Sequence, residues 1–284
     1  MRALVLSGGA AHGAFQAGAI QALYEIGWIP EIICGSSVGA INAAGLASGK
    51  SPEHLCELWR KVTSRDVYRW RPPNQWLKFW KWSHVLDTTP LSKLLNKYVD
   101  FDELQHSPQT VTCFSVDVRT GHLQGYANRV TGLPPKFRRL YRPDLLDVDA
   151  VMSSTAIPLV FPWSRGEWDG SLLQYAPLKP AVLLGATEIV VVSLEIHEPE
   201  PALPTGVVQT ALRILDISSM SRLRSDLRTL LARNNQDGYR NIDVRVIRPL
   251  RNLGYSKLNF NSPLKEAAIA HGRNCAHQIM SQDV

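Results

Sequence analysis

Two features of this sequence have the residue types for acyl chemistry: a serine framed by glycines and an aspartate beside a glycine. Gly35-Ser36-Ser37-Val38-Gly39 fits G-x-S-x-G with Ser37 in the central position. A serine at the apex of a tight strand-to-helix turn takes strained backbone angles, and side chains at the flanking positions would collide there, so Gly35 and Gly39 suit that geometry. The apex also stands at a helix N-terminus, whose positive dipole end favours a developing oxyanion. Ser36 has no apex role and reads as a turn hydroxyl that bonds the backbone. Alone, the five residues also fit a turn with no chemistry.

A further stretch, Ser7 to Gly18, reads SGGAAHGAFQAG. A glycine-rich turn between a strand and a helix exposes backbone N–H groups that suit an anion. Its glycines are misplaced for the dinucleotide pattern G-x-G-x-x-G, and no G-K-[ST] follows for a phosphate loop. The transient oxyanion of a tetrahedral acyl intermediate is the alternative, held by N–H groups of Gly9 and Ala10 or their neighbours. A purely structural turn is the third reading.

A reactive serine needs a base. His12 lies within the glycine turn, and His271 and His277 fall late enough in the chain to serve a Ser-His-Asp hydrolase, yet none has a signature around it. Asp169 precedes Gly170 after the block SSTAIPLVFP, and a carboxylate within hydrogen-bond reach of a serine can take its proton directly. Asp-Gly is also a common turn.

Taken together and in order, the glycine turn, the serine elbow, SSTAIPLVFP and Asp169-Gly170 resemble the patatin-like phospholipase family, from residue 3 to about residue 195. The resemblance implies a three-layer α/β/α fold, a Ser–Asp dyad and neither metal nor cofactor. By position, Ser37 would be the nucleophile and Asp169 its base. Gly8, Gly9, Ala10, Ala11, His12 and Gly13 would bind the oxyanion, with Gly35, Gly39 and Gly170 supporting the turns. A lipid acyl ester, phospholipid or lysophospholipid, would be the substrate. Three positions depart from the family pattern: Ala10 replaces a third glycine, His12 a lysine or arginine, and Ser171 a glycine or alanine.

The elements that must position these residues are legible as patterns. Ala3–Leu6 and Glu31–Cys34 read as buried strands, each followed by a small-residue helix, which implies a parallel sheet with right-handed crossovers. Helices are expected after Ser51-Pro52 and near Thr89-Pro90, and a strand over Thr110–Val118. The segment VDAVMSSTAIPLVFP reads as a helix stopped at Pro158, and Glu188–Ile196 as a strand. A long basic helix over Val207–Asn234 carries Arg213, Arg222, Arg224, Arg228 and Arg233 on a solvated face. A strand IDVRVI and a helix from Pro263 to Met280 follow.

At 284 residues with 45% apolar composition, the chain suits one α/β domain over 1–284, with a cap or lid over 65–105. Its net charge of +6 suits anionic surfaces, but no nucleic-acid module is present. The four scattered cysteines read as reduced thiols without metal spacing, and no run is long enough for a signal peptide or a membrane span. A cytoplasmic protein is the expectation. Trp70, Trp76, Phe79, Trp80 and Trp82 are interleaved with arginine and lysine, a composition that fits either a membrane-surface contact or a cap packed on the core. Three functions remain open: a Ser–Asp lipid hydrolase, a Ser-His-Asp esterase, and a non-catalytic binder of lipid or phosphate with a degenerate loop.

Overall fold

The computed structural model describes residues 1–70, 82–129, 133–140, 143–196, 203–234, 236–238 and 240–282. The chain begins with alternating β1 (Arg2–Leu6), α1 (Gly13–Glu25), β2 (Ile32–Ser36) and α2 (Val38–Ala47). In α3 (Pro52–Lys61), the Ser51 hydroxyl accepts the His54 N–H, so the sequence-level cap is the structural one. Next come α4 (Ser64–Val67), β3 (Arg69–Trp70), β4 (Leu86–Asp87), α5 (Thr89–Tyr98) and α6 (Phe101–His106). The middle of the chain holds β5 (Thr110–Asp117), β6 (Leu123–Ala127), α7 (Pro135–Leu140), β7 (Pro143–Leu145), α8 (Val148–Ser154) and β8 (Glu167–Asp169). It closes with α9 (Leu178–Leu183), β9 (Glu188–Val192), α10 (Gly206–Arg233), β10 (Asp243–Ile247) and α11 (Lys265–Met280).

The main sheet runs β10-β9-β1-β2-β5-β6-β7, with β8 also paired to β5. The strands from β10 through β5 are parallel, as expected from the strand–helix alternation, while β6 and β8 run antiparallel to β5. Strand alternation sorts the core into two layers. Leu4, Leu6, Ile33, Val190 and Val192 pack with α1, α2 and α11 on one face. Ala3, Val5, Ile32, Cys34, Ile189 and Val191 pack with α9 and α10 on the other. The fold is therefore α/β/α in three layers with a mainly parallel sheet.

One expected element is shorter than its sequence pattern. The residue before a proline is biased out of the helical region, so Pro158 works against a helix through Ile157. α8 ends at Ser154, and turns carry Thr155–Phe161 back to the body, where Leu159 bridges to His84. Trp76, Phe79 and Trp80, expected on one helix face, lie outside the described residues.

The strand β5 does the decisive positioning. Its edge pairs with β2 up to Ser36 opposite Phe114. There β2 turns away into α2, and β8 takes over the same edge, with Asp169 opposite Ser115. Two adjacent residues of β5 thus register the two candidate catalytic segments against each other. Gly170 makes the handover fit: a Cβ on it would stand 2.0 Å from the Phe114 carbonyl oxygen and 3.0 Å from Ser36 Oγ. Gly170→Ala should therefore push β8 off this edge and cost about 1–3 kcal/mol of stability, the range for overpacking a tight site. Urea unfolding checks this, and an unchanged midpoint would show that the contact gives way freely.

Candidate active site

Ser37 sits where β2 meets α2, with φ 54° and ψ −125°, the strained geometry expected of an elbow apex. The turn closes because glycines flank it. A Cβ on Gly35 would lie 2.4 Å from the Gly39 carbonyl oxygen, and one on Gly39 would lie 2.3 Å from that of Leu6. The Ser37 N–H donates to Ser154 Oγ at 3.1 Å, so the end of α8 braces the elbow from the SSTAIP block. Ser37 Oγ donates to Asp169 Oδ2 at 2.6 Å. Both residues are nearly enclosed, at 5% and 2% exposure.

The second carboxylate oxygen, Asp169 Oδ1, accepts the Ser171 N–H at 2.8 Å. Ser171 thus continues the turn that the family pattern builds with glycine or alanine, and its hydroxyl lies 3.3 Å from that of Ser36. Ser36 is accordingly a supporting hydroxyl. Two residues before Asp169, buried Glu167 accepts from Ser115 Oγ at 2.6 Å and from the Tyr126 hydroxyl at 2.6 Å. That network anchors β8 to β5 and β6, and nothing in the sequence spacing announced it.

Burial raises Asp169 from 3.8 to about 6, because the enclosed site disfavours the charged carboxylate; bonds from Ser37 and Ser171 oppose the shift. At neutral pH the group is mostly ionised, yet more basic than an ordinary carboxylate.

The glycine turn passes directly over the elbow. A Cβ on Gly8 would fall 3.3 Å from Ser37 Cβ. Gly9 has φ 152° and Ala10 φ 50°, so alanine holds a left-handed conformation that glycine adopts more readily. A 3-10 turn, Ala10–His12, then leads into α1. The Gly8 N–H donates to the Tyr175 carbonyl at 3.1 Å and the Ala11 N–H to the Lys257 carbonyl at 2.8 Å. The N–H groups of Gly9 and Ala10 between them have no acceptor among the described residues, as an oxyanion loop requires. His12 is buried and donates from Nε2 to the Tyr255 carbonyl at 2.8 Å, and among the described residues it makes no hydrogen bond to Ser37.

Behind the loop runs a buried polar chain. Trp59 Nε1 donates to Asn42 Oδ1 at 2.8 Å, Asn42 Nδ2 to Gln16 Oε1 at 3.0 Å, and Gln16 Nε2 to the Ser7 carbonyl at 2.8 Å. Each link is satisfied, which makes such a network rigid.

A cavity of about 500 Å³ opens from Ser37 and Ala10 between α2, α3 and α5. Its walls include Leu55, Trp59, Leu91, Leu95, Phe161 and Phe260, with Lys61, Arg65, Lys93 and Lys97 also bordering it. The described part of the 65–105 segment thus walls this space. Of the tryptophans in that region, Trp70 is 60% exposed and Trp82 half-buried. No group of metal-ligating side chains occurs among the described residues, and no described helix is long and apolar enough to cross a membrane. His271 packs edge-on against Phe15 and His277 pairs with Glu25, so neither bonds Ser37.

A serine at a strand-to-helix elbow, partnered by a carboxylate under a glycine-rich turn, defines a class of three-layer α/β proteins. Residues 4–182 match the family model described as patatin-like phospholipase, and the chain belongs to that family. It is 29% identical over 168 residues to triacylglycerol lipase ptl3 of Schizosaccharomyces pombe, covering 56% of this chain and 33% of that one. It is 28% identical over 196 residues to triacylglycerol lipase 4 of Saccharomyces cerevisiae, covering 60% and 20% respectively. The chain therefore spans a third or less of those relatives. The crystal structure of VipD from Legionella pneumophila superposes with a TM-score of 0.53 at 18% identity, covering 98% of this chain and 66% of that one, a likeness of fold.

The shift at Asp169 has a consequence for stability. With a folded value near 6 and an ordinary unfolded value, the native state holds the proton more tightly, so stability is full below pH ~4 and falls as pH rises to ~6. A shift of about two units corresponds to roughly 3 kcal/mol at most. Asp169→Asn removes the buried charge and should be at least as stable as wild type at pH 8, the advantage vanishing below pH ~4. Denaturation midpoints across pH check it; an Asn variant less stable at pH 8 would contradict it.

Proposed function

We propose that the protein hydrolyses lipid acyl esters through an acyl-enzyme on Ser37. The observation that carries this reading is the 2.6 Å bond from Ser37 Oγ to buried Asp169 Oδ2 at the lip of an apolar cavity. Asp169 takes the serine proton as Oγ attacks the ester carbonyl. Charge develops on the carbonyl oxygen beside the unpaired N–H groups of Gly9 and Ala10 and the N-terminal end of α2. Collapse expels the alcohol, which receives the proton back from Asp169. Water, deprotonated by the same carboxylate, then releases the fatty acid. The acyl chain occupies the cavity walled by Leu55, Trp59, Leu91 and Leu95.

Two observations weigh against the alternatives. No histidine bonds Ser37 among the described residues, which disfavours a Ser-His-Asp arrangement. Ala10 tolerates its positive φ while its N–H stays free, so its departure from glycine does not block the loop, as a purely binding protein would allow. The substrate is a glycerolipid, phospholipid by the family description and neutral glyceride by the names of the yeast relatives. Contact with a lipid surface would run through the face bearing exposed Trp70.

Fatty-acid release from a panel of phospholipids, lysophospholipids and glycerides tests the reading. Ser37→Ala should abolish it, and Asp169→Asn should lower kcat about 100- to 10,000-fold, the usual worth of a general base. Wild-type kcat/KM should climb with pH to a plateau, with its midpoint near 6, because only the ionised carboxylate accepts the proton. Full activity in either variant, or a profile flat from pH 5 to 8, would refute the dyad.

A further inference from the structure

The buried imidazole of His12 bonds neither Ser37 nor Asp169 among the described residues, and its surroundings indicate another task. Its Nε2 is 2.8 Å from the Tyr255 carbonyl oxygen, which can only accept, so Nε2 carries the proton. Nδ1 then holds a lone pair, buried with no partner among the described residues. An orphaned buried nitrogen is unfavourable, so the ring is kept for what its other side does. The ring stands edge-on to that of Tyr255, with centroids 5.0 Å apart at 82°. The Tyr255 hydroxyl reaches back to the Ala11 carbonyl at 3.3 Å, and the Lys257 carbonyl accepts the Ala11 N–H at 2.8 Å. Lys257 is itself ion-paired to Asp216 on α10. Three bonds thus join residues 11 and 12 to residues 255–257, immediately after the left-handed Ala10.

We propose that His12 is a positioning residue: through its Nε2–H bond to the Tyr255 carbonyl it pins the glycine turn to Tyr255–Lys257, so that the Gly9 and Ala10 N–H groups stay aimed at the oxyanion. This rests on the hydrolase reading above. It makes a segment outside the family-matched residues 4–182 part of the reaction's scaffold. The donor here is uncharged. Burial first, and Lys257 second, lower His12 to about 4 against the opposing bond from Tyr255, so the ring stays neutral across the working range. A permanent cation at this position would lie buried beside Lys257.

His12→Leu removes the donor, and His12→Gln restores one, since a glutamine Nε2 reaches as far from the backbone as the imidazole Nε2. On a soluble short-chain ester, His12→Leu should lose about tenfold in kcat with KM within about twofold, less than the roughly 100-fold or more lost with an oxyanion donor itself. His12→Gln should recover to within about threefold of wild type, with an unchanged pH profile. Amide exchange of peptides covering residues 8–13 should accelerate in His12→Leu and return toward wild type in His12→Gln. If wild type itself proves inert toward esters, the hydrolase reading fails, while the exchange result still decides whether the pin exists. If His12→Leu does not fold, His12→Asn, whose side-chain amide is too short to reach the Tyr255 carbonyl, takes its place and should show the same loss in kcat and the same faster exchange. Wild-type kcat and exchange in His12→Leu (or in His12→Asn where the Leu variant does not fold), or a His12→Gln variant as impaired as either, would overturn the proposal.

Discussion

Everything at this site depends on one edge of β5 being shared in succession by two strands. β2 occupies it as far as Ser36, and β8 occupies it from Asp169 onward, so Phe114 and Ser115 hold the two segments side by side. The backbone ladder sets the two strands in register, and the 2.6 Å contact between Ser37 Oγ and Asp169 Oδ2 lies at that junction. The parallel sheet, the glycines of the elbow and the Glu167 network all act to keep that handover in register. A serine and a carboxylate held by rigid strands need no long side chain and no loop closure to meet.

The same enclosure tunes the chemistry. A carboxylate shut away from water is raised toward neutrality, which makes Asp169 a better proton acceptor than a surface aspartate. Its retention as an anion relies on the Ser37 and Ser171 donors, and the position of Ser171 rests on the close approach of Gly170 to the Phe114 carbonyl. Strain at Ser37 and Ala10 belongs to the same design: both hold positive φ, and in both cases neighbouring bonds keep the conformation in place.

Much of this was legible in the sequence, because elbow and glycine turn are local structures whose steric needs appear as residue types. Gly35, Ser37, Gly39 and the Gly8-Gly9 pair announced themselves that way, and the flanking apolar runs gave the parallel strands. Asp169 stood out only through its glycine and the resemblance, since β8 spans only Glu167–Asp169, too short for any periodicity. The Glu167–Ser115–Tyr126 cluster, the Tyr255–Lys257 contacts and the cavity walls come from residues far apart in the chain, and spacing carries no trace of them. The helix expected to run to Pro158 ended at Ser154 because proline acts on the residue before it and the chain is needed for turns.

The central claim is that Ser37 is a nucleophile whose proton passes to Asp169. Covalent capture tests it most directly: treatment with a fluorophosphonate, with the adduct mapped by mass spectrometry and its rate followed in wild type and in Asp169→Asn. The account predicts a single adduct, on Ser37, forming at least about 100-fold more slowly in the Asn variant, as expected when a general base is removed. An adduct on another residue, or equal rates in the two proteins, would contradict it.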